Sequence, residues 1–239
     1  MIKKPLNQNR ILDLELLNSI DNEYIFDNNP INRFKIKNDN FKKLKEKKIE
    51  QLNILKSKIN SIEDCNLKKN SSRIVFADGN VESPIMIVGE GPGQREDEIG
   101  KPFVGDAGAL LNKMLEAIKV DRRNIYITNV VNFRPPKNRK PEPSEITRYS
   151  NYLKEHISII DPKILILMGS TAMESLFGNK IKISRERGKW KDVIIHNKTF
   201  LTMITFHPAY LLRQADQKKY SWADLKEIKK KIKELKITI

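Results

Sequence analysis

Residues 85–105, IMIVGEGPGQREDEIGKPFVG, decide the fold. Ile85, Met86, Ile87 and Val88 form a short apolar run of the kind a strand buried on both faces needs, and the run stops at Gly89. A polar, glycine-rich loop follows. In an open α/β sheet the crevice beyond the carboxyl end of a strand is where ligands bind, so Gly89, Glu90, Gly91, Gly93, Glu96 and Asp97 stand where chemistry is usually done. Pro92 stiffens the turn, and Phe103 offers a flat aromatic surface in a loop otherwise polar. Asp106 reads as the N-cap of the next helix. The loop is no dinucleotide fingerprint, because it lacks the third glycine at the required spacing, and no P-loop, because no Gly-Lys-Ser/Thr follows. A plain strand-to-helix connection would account for a lone Gly-x-Gly, so the weight falls on the rest of the chain.

Downstream, apolar periodicity predicts a helix over 107–118, a strand over 125–131, a helix over 144–159, a strand over 163–168 and a helix from Gly169. This alternation predicts a parallel, doubly wound sheet. Asn129 stands near the end of the second strand, where a carboxamide is costly unless hydrogen-bonded. The prolines of NFRPPKNRKPEP forbid regular structure there, and Arg134, Lys137, Arg139 and Lys140 make a basic loop suited to a phosphate backbone. Strands over 189–195 and 199–205 flank a hairpin turn, and the second ends at His207, with Pro208 opening a helix that carries Leu211, Leu212 and Arg213. His156 and His196 read as ordinary, one among polar neighbours on a helix and the other in a turn. The last helix, 221–237, is rich in lysine and has Trp222, Leu225, Ile228, Ile232 and Leu235 along its apolar side.

Upstream, VFADGN reads as a strand running into a turn, and residues 42–62 as a lysine-rich helix with Leu44, Ile49, Leu52, Leu55 and Ile59 near helical spacing. Residues 1–40 offer one short helix at 11–20 and read as a loosely attached arm. The expected division is therefore an arm and helix over 1–62 and a globular domain over 63–239. Forty-five Lys+Arg against 30 Asp+Glu give a net charge of +15, the electrostatic footprint of a protein that meets a polyanion. No apolar run approaches the roughly 20 residues of a membrane span, and the N-terminus lacks an apolar signal core, which points to the cytoplasm. A single cysteine, Cys65, rules out an internal disulfide framework and an all-cysteine metal site within one chain.

From about Cys65 to Ile228 the chain resembles the uracil-DNA glycosylases of the thermophile-type family, often called family four. The motifs that carry this are GEGPG (89–93) with Glu96-Asp97, GKPFVG (100–105), YITNV (126–130), RPPKNRKP (134–141), and HPAYLLR (207–213) followed by WADL (222–225). The resemblance implies a three-layer α/β/α sandwich around a central, mostly parallel four-stranded sheet, extended here by a helical N-terminal segment. It also implies a DNA repair enzyme that flips uracil out of the stack and hydrolyses its N-glycosidic bond, leaving an abasic site. Phe103 becomes the stacking partner of the flipped base. Asn129 reads uracil O4 and N3–H together, since a fixed carboxamide offers one acceptor and one donor. His207 donates to O2 as negative charge builds on the leaving base. A carboxylate in the loop orients the attacking water, with Glu96 the favoured position and Glu90 the next. The GQDPYH glycosylases place an aspartate where Gly91 stands, so that role is not filled at 91, and Glu90 is the candidate wall against thymine's methyl group. Gly89 and Gly91 line the substrate. Leu211, Leu212 and Arg213 approach the duplex as wedge and phosphate contact, with at least one leucine expected in the core.

The chain departs from the family at the iron–sulfur cluster that most members bind through four cysteines. Ile62 stands at the first ligand position, Cys65 at the second, Phe133 at the third, and Tyr149 is the nearest match to the fourth. No cluster, and no other cofactor or metal, is expected. The expected partner is uracil-containing DNA, met by a monomer at the nucleoid; no membrane or protein partner is implied. Two other functions share the fold: a non-catalytic DNA-binding scaffold, and a relative that traps DNA covalently through a histidine inserted after the asparagine strand. The 134–143 loop contains no histidine.

Overall fold

The computed structural model describes residues 33–238. The chain falls into two units, Met1–Phe41 and Lys42–Ile239. Of the first, the beginning of helix α1 (Arg33–Asn60) is described, and the helix expected over 11–20 lies outside the described residues.

The second unit is built on a six-stranded sheet: β1 (Ala77–Gly79), β2 (Ile85–Gly89), β3 (Tyr126–Asn129), β4 (Ile164–Met168), β5 (Trp190–Ile195) and β6 (Lys198–Thr205), in the spatial order β1-β3-β2-β4-β6-β5. The inner four, β3-β2-β4-β6, are all parallel. β1 and β5 pair antiparallel at the two edges, so the expected four-stranded sheet is the parallel middle of a wider one. Both edge strands are legible as strands in the sequence, and the four-stranded count that the resemblance implies leaves them out. The β5–β6 hairpin turns through His196 and Asn197, whose φ values of 46° and 65° match the turn that fits a right-handed strand twist.

Alternate residues of each buried strand feed opposite layers. Met86, Val88, Leu165 and Leu167 pack with α1, with α5 (Pro143–Ile160) and with α6 (Ser170–Phe177), drawing in Leu55, Tyr149, Leu153 and Met173. Ile85, Ile87, Ile164 and Ile166 pack on the other side with α4 (Asp106–Ala117), α8 (Pro208–Arg213) and α9 (Lys218–Glu234), meeting Leu111, Leu115, Leu211, Leu225 and Ile228. Two short helices, α2 (Asn66–Lys69) and α7 (Ile183–Glu186), lie on the connections, and the result is a three-layer α/β/α sandwich.

Several boundaries differ from the sequence reading. Gly105, not Asp106, caps α4, and Asp106 becomes its first residue, where a carboxylate suits the positive end of the helix. Leu52, Leu55 and Ile59 of α1 are buried in the same core as the sheet, whereas Leu44 and Ile49 are exposed. The unit that holds the sheet begins at Lys42, and the second half of α1 packs as part of its outer layer. Trp222 on α9 and Leu235 just after its end are exposed instead of packed. His156 is buried, its ring stacked on Phe76 at 4.5 Å and its Nε2 within 2.8 Å of the Tyr126 hydroxyl, and burial pulls its pKa down to about 3.

Candidate active site

The carboxyl ends of β2, β3 and β6 open on a cavity of about 790 Å³. β2 and β3 run in register so that Gly89 lies beside Asn129. A Cβ at Gly89 would collide with the Asn129 carboxamide oxygen and with the ring of Phe103, so only glycine lets these two groups come together there. Gly91 is lined similarly: the branch of Val131 fills the space where a side chain at 91 would sit. Asn129 is buried and lines the cavity, and no hydrogen bond joins its carboxamide to another described residue. A buried amide without a protein partner is a group set for a ligand.

Phe103 lies on the connection between helix α3 (Gln94–Ile99) and α4, with its ring buried in the cavity wall. It stacks on the imidazole of His207, ring centroids 5.4 Å apart and planes 28° from parallel. His207 is the N-cap of α8 and its Nδ1 accepts the backbone N–H of Ala209 at 3.2 Å. A backbone N–H can only donate, so the Nδ1 lone pair is committed and the neutral ring carries its proton on Nε2. Burial, helped by the positive charge of Arg213, lowers the pKa of His207 to about 4. The side chain is thus a neutral hydrogen-bond donor at any ordinary pH.

The two loop carboxylates have different partners. Glu96 accepts the backbone N–H of Gly93 at 3.1 Å on one oxygen, and those of Val104 and Gly105, both at 2.8 Å, on the other. Its carboxylate is the internal tie of the loop, and three charge-assisted bonds leave it little capacity for a water. Asp97 likewise ties down the backbone of Ser72 at 2.9 Å. Glu90 accepts on Oε2 a single hydrogen bond from the hydroxyl of Thr171, in the first turn of α6, and its other oxygen has no partner among the described residues. Both carboxylates line the cavity, and Glu90 is the one with an oxygen that has no partner among the described residues.

The basic loop is less free than its sequence suggests. Arg139 is paired two-to-two with Glu145, at 2.8 and 2.7 Å, and Lys140 with Glu174 at 3.0 Å. Each of these charges thus has a carboxylate partner within the protein, though both side chains still line the cavity. Arg134 donates to the Asn138 side chain at 2.8 Å, while Lys137 is exposed on a backbone with φ 54°. On α8, Leu211 is buried in the core and is removed from the set of DNA-facing residues, whereas Leu212 is 47% exposed beside the exposed Arg213 at the cavity rim. The sequence reading missed Thr171, which follows β4 as part of Gly-Ser-Thr, and Tyr210, which lines the cavity and packs on Phe206 at 5.0 Å. Polar residues just after a strand end, and an aromatic three residues after His207, are the signals that could have found them.

Cys65, Phe133 and Tyr149 sit in one core cluster with Ile62 packed against it, and the Tyr149 hydroxyl lies 3.5 Å from the Cys65 sulfur. No group of three or more His, Cys, Asp or Glu among the described residues could hold a metal ion. One thiol among two aromatic rings and an isoleucine does not fit a four-thiolate cluster.

A family model, the Uracil DNA glycosylase superfamily, matches residues 76–229. The chain is 39% identical to the Type-4 uracil-DNA glycosylase of Thermotoga maritima over 165 residues, covering 69% of this chain and 84% of that protein. It is 39% identical over 198 residues to the Type-4 uracil-DNA glycosylase of Sulfurisphaera tokodaii, covering 80% and 87%, and 35% identical over 184 residues to that of Archaeoglobus fulgidus, covering 75% and 92%.

Proposed function

The chain belongs to the Uracil DNA glycosylase superfamily, and from that premise we propose that it excises uracil from DNA as a monofunctional glycosylase working without a cofactor. The observation that carries this reading is the meeting of Asn129, Phe103 and His207 around one cavity, an unpaired amide, an aromatic face and a neutral donor.

A flipped uracil stacks on Phe103, and the Asn129 carboxamide accepts from its N3–H and donates to O4. Cytosine presents an acceptor at N3 and a donor at C4, so the same carboxamide, once fixed, rejects it. As the bond between the base nitrogen and the sugar carbon breaks, its electron pair moves onto the base. His207 Nε2–H points its hydrogen bond at O2, where that charge gathers, and a neutral donor serves here because no proton needs to leave it. The sugar carbon becomes cation-like. Glu90, anchored by Thr171, stabilises that charge with its free oxygen and orients the water whose oxygen closes on the carbon, taking up the proton that water releases. Glu96 keeps the loop in shape instead of reacting.

Outside the cavity, Leu212 fills the emptied stack, and Arg213, Lys137 and Arg134 meet the phosphates. The protein acts as a cytoplasmic monomer; among the described residues no helix is long and apolar enough to cross a membrane. It holds no iron–sulfur cluster: packing by Phe133 and Tyr149 supports this, since an emptied cluster cavity would cost stability in proportion to its volume. Incubation with a uracil-containing oligonucleotide in the presence of a chelator tests the function, and elemental analysis of the same sample for iron tests the cofactor reading. Excision with less than stoichiometric iron is expected.

A further inference from the structure

Phe103 has a φ of 54°, in the left-handed region that a bulky aromatic residue rarely occupies. Backbone outliers of this kind persist only when the surroundings over-determine them, and they collect at functional sites. Three groups hold this one. Glu96 takes the N–H groups of Val104 and Gly105 from one side. Gly108 of α4 passes so close beneath that a Cβ there would drive into the Phe103 carbonyl. On the other side Arg122, in the short 3-10 turn Arg122–Asn124 before β3, donates from Nη1 to the Phe103 carbonyl at 2.9 Å and from Nη2 to the Pro102 carbonyl at 2.7 Å. The same guanidinium is fixed by Asp78 of β1, 3.2 Å from Nη2, and by the Asn112 side chain of α4, 3.1 Å from Nη1.

We infer that Arg122 is a positioning residue for the base pocket, clamping the 102–103 backbone so that the Phe103 ring stands ready beside Asn129 and His207 before any base arrives. The inference rests on the reading of Phe103 as the stacking partner. A rigid planar fork with five donors can span two successive carbonyls and a carboxylate at once, which a single ammonium cannot. Without the clamp the loop can relax towards ordinary φ values, and the incoming base must then restore the platform out of its own binding free energy. Arg122 touches no substrate and acts through Phe103. A role confined to stability would leave the pocket's preference for uracil unchanged.

The test is a double-mutant cycle over Arg122→Gln and Phe103→Ala, with Arg122→Lys as a second probe of the fork. The readout is the ratio of affinities for two duplexes, one carrying a non-hydrolysable 2′-fluorinated deoxyuridine and the other thymidine at the same place, so that general DNA binding cancels. Arg122→Gln should lower this ratio by about tenfold, the scale of one strained backbone conformation. Arg122→Lys should fall between it and wild type, and Arg122→Gln should have no further effect once Phe103 is alanine. Independent, additive losses would overturn the inference while leaving the pocket reading intact, whereas an unchanged ratio in Phe103→Ala would remove both. Should Arg122→Gln not fold, a wild-type ratio in the folded Arg122→Lys variant overturns the inference by itself.

Discussion

The hydroxyl of Thr171 donates to one oxygen of the Glu90 carboxylate, tying the end of the β2 loop to the first turn of α6. One oxygen is thereby held and the other left at the cavity wall, a division of labour that Glu96, with both oxygens on backbone N–H groups, does not have.

Glu90→Gln should lower kcat by about 10²–10⁴-fold, the usual range for losing a positioned general base, with uracil-DNA affinity little changed. Glu96→Gln should act on the fold: a carboxamide offers a donor where the loop presents only N–H groups, and the loss of charge-assisted bonds should cost roughly 2 kcal/mol or more, read as a lowered Tm. Single-turnover kinetics and thermal melts on the two variants separate these roles. A wild-type kcat in Glu90→Gln with full loss in a stable Glu96→Gln would restore the opposite order.

Asn129→Asp should reduce kcat/KM on uracil by about tenfold to a hundredfold, because the group that donated to O4 becomes a second acceptor. Gly89→Ala should do at least as much damage, since its methyl group would push into both the Asn129 carboxamide and the Phe103 ring. Undiminished uracil excision in Asn129→Asp would remove Asn129 from the site.

Stability should fall with acid. His207 and His156 have folded pKa values depressed to about 4 and about 3 from an ordinary 6.5, so below 6.5 the unfolded chain binds protons that the folded chain refuses. Their contribution is whole above about pH 6.5 and is lost as pH falls towards each folded value, at up to about 1.4 kcal/mol per pH unit for each histidine. Denaturant melts between pH 7 and 4 measure this slope. Replacing His156 by glutamine should lessen it; an unaltered slope would show that carboxylates account for the acid loss.

The strand ends that build the cavity are legible in the sequence because a parallel sheet announces itself in short apolar runs, and a polar residue at the end of such a run is conspicuous. Gly89, Asn129 and His207 are found in this way. Partnership is not legible. The sequence shows Arg139 and Lys140 as charges in a proline-rich loop, yet nothing in it says that Glu145 and Glu174 neutralise them, for one partner is a turn into the next helix and the other lies on α6. Leu211 and Leu212 look alike in sequence, but neighbours on a helix point about 100° apart, and so one is core and the other surface. The fate of α1 is hidden for a related reason: its lysine-rich first half and its packed second half share one continuous helical pattern.

That pairing has a measurable consequence in salt. Arg213→Ala should lower the slope of log affinity against log salt by about 0.9, the share of one phosphate contact. Arg139→Ala and Lys140→Ala should leave the slope almost unchanged, and Arg139→Ala should destabilise the protein by stranding Glu145. A flattened slope in Lys140→Ala would show that this lysine exchanges Glu174 for a phosphate when DNA binds.

The central claim, that this pocket breaks the glycosidic bond of a flipped uracil unaided by metal, is tested most directly on one labelled oligonucleotide with a single uracil. The protein is incubated with it in excess chelator, and alkali then cleaves any abasic site. Strand scission at the uracil position, absent from the thymine and cytosine controls and slowed by about tenfold to a hundredfold in Asn129→Asp, is the result expected. Intact strands after incubation with well-folded protein, on single-stranded and duplex substrates alike, would contradict the account.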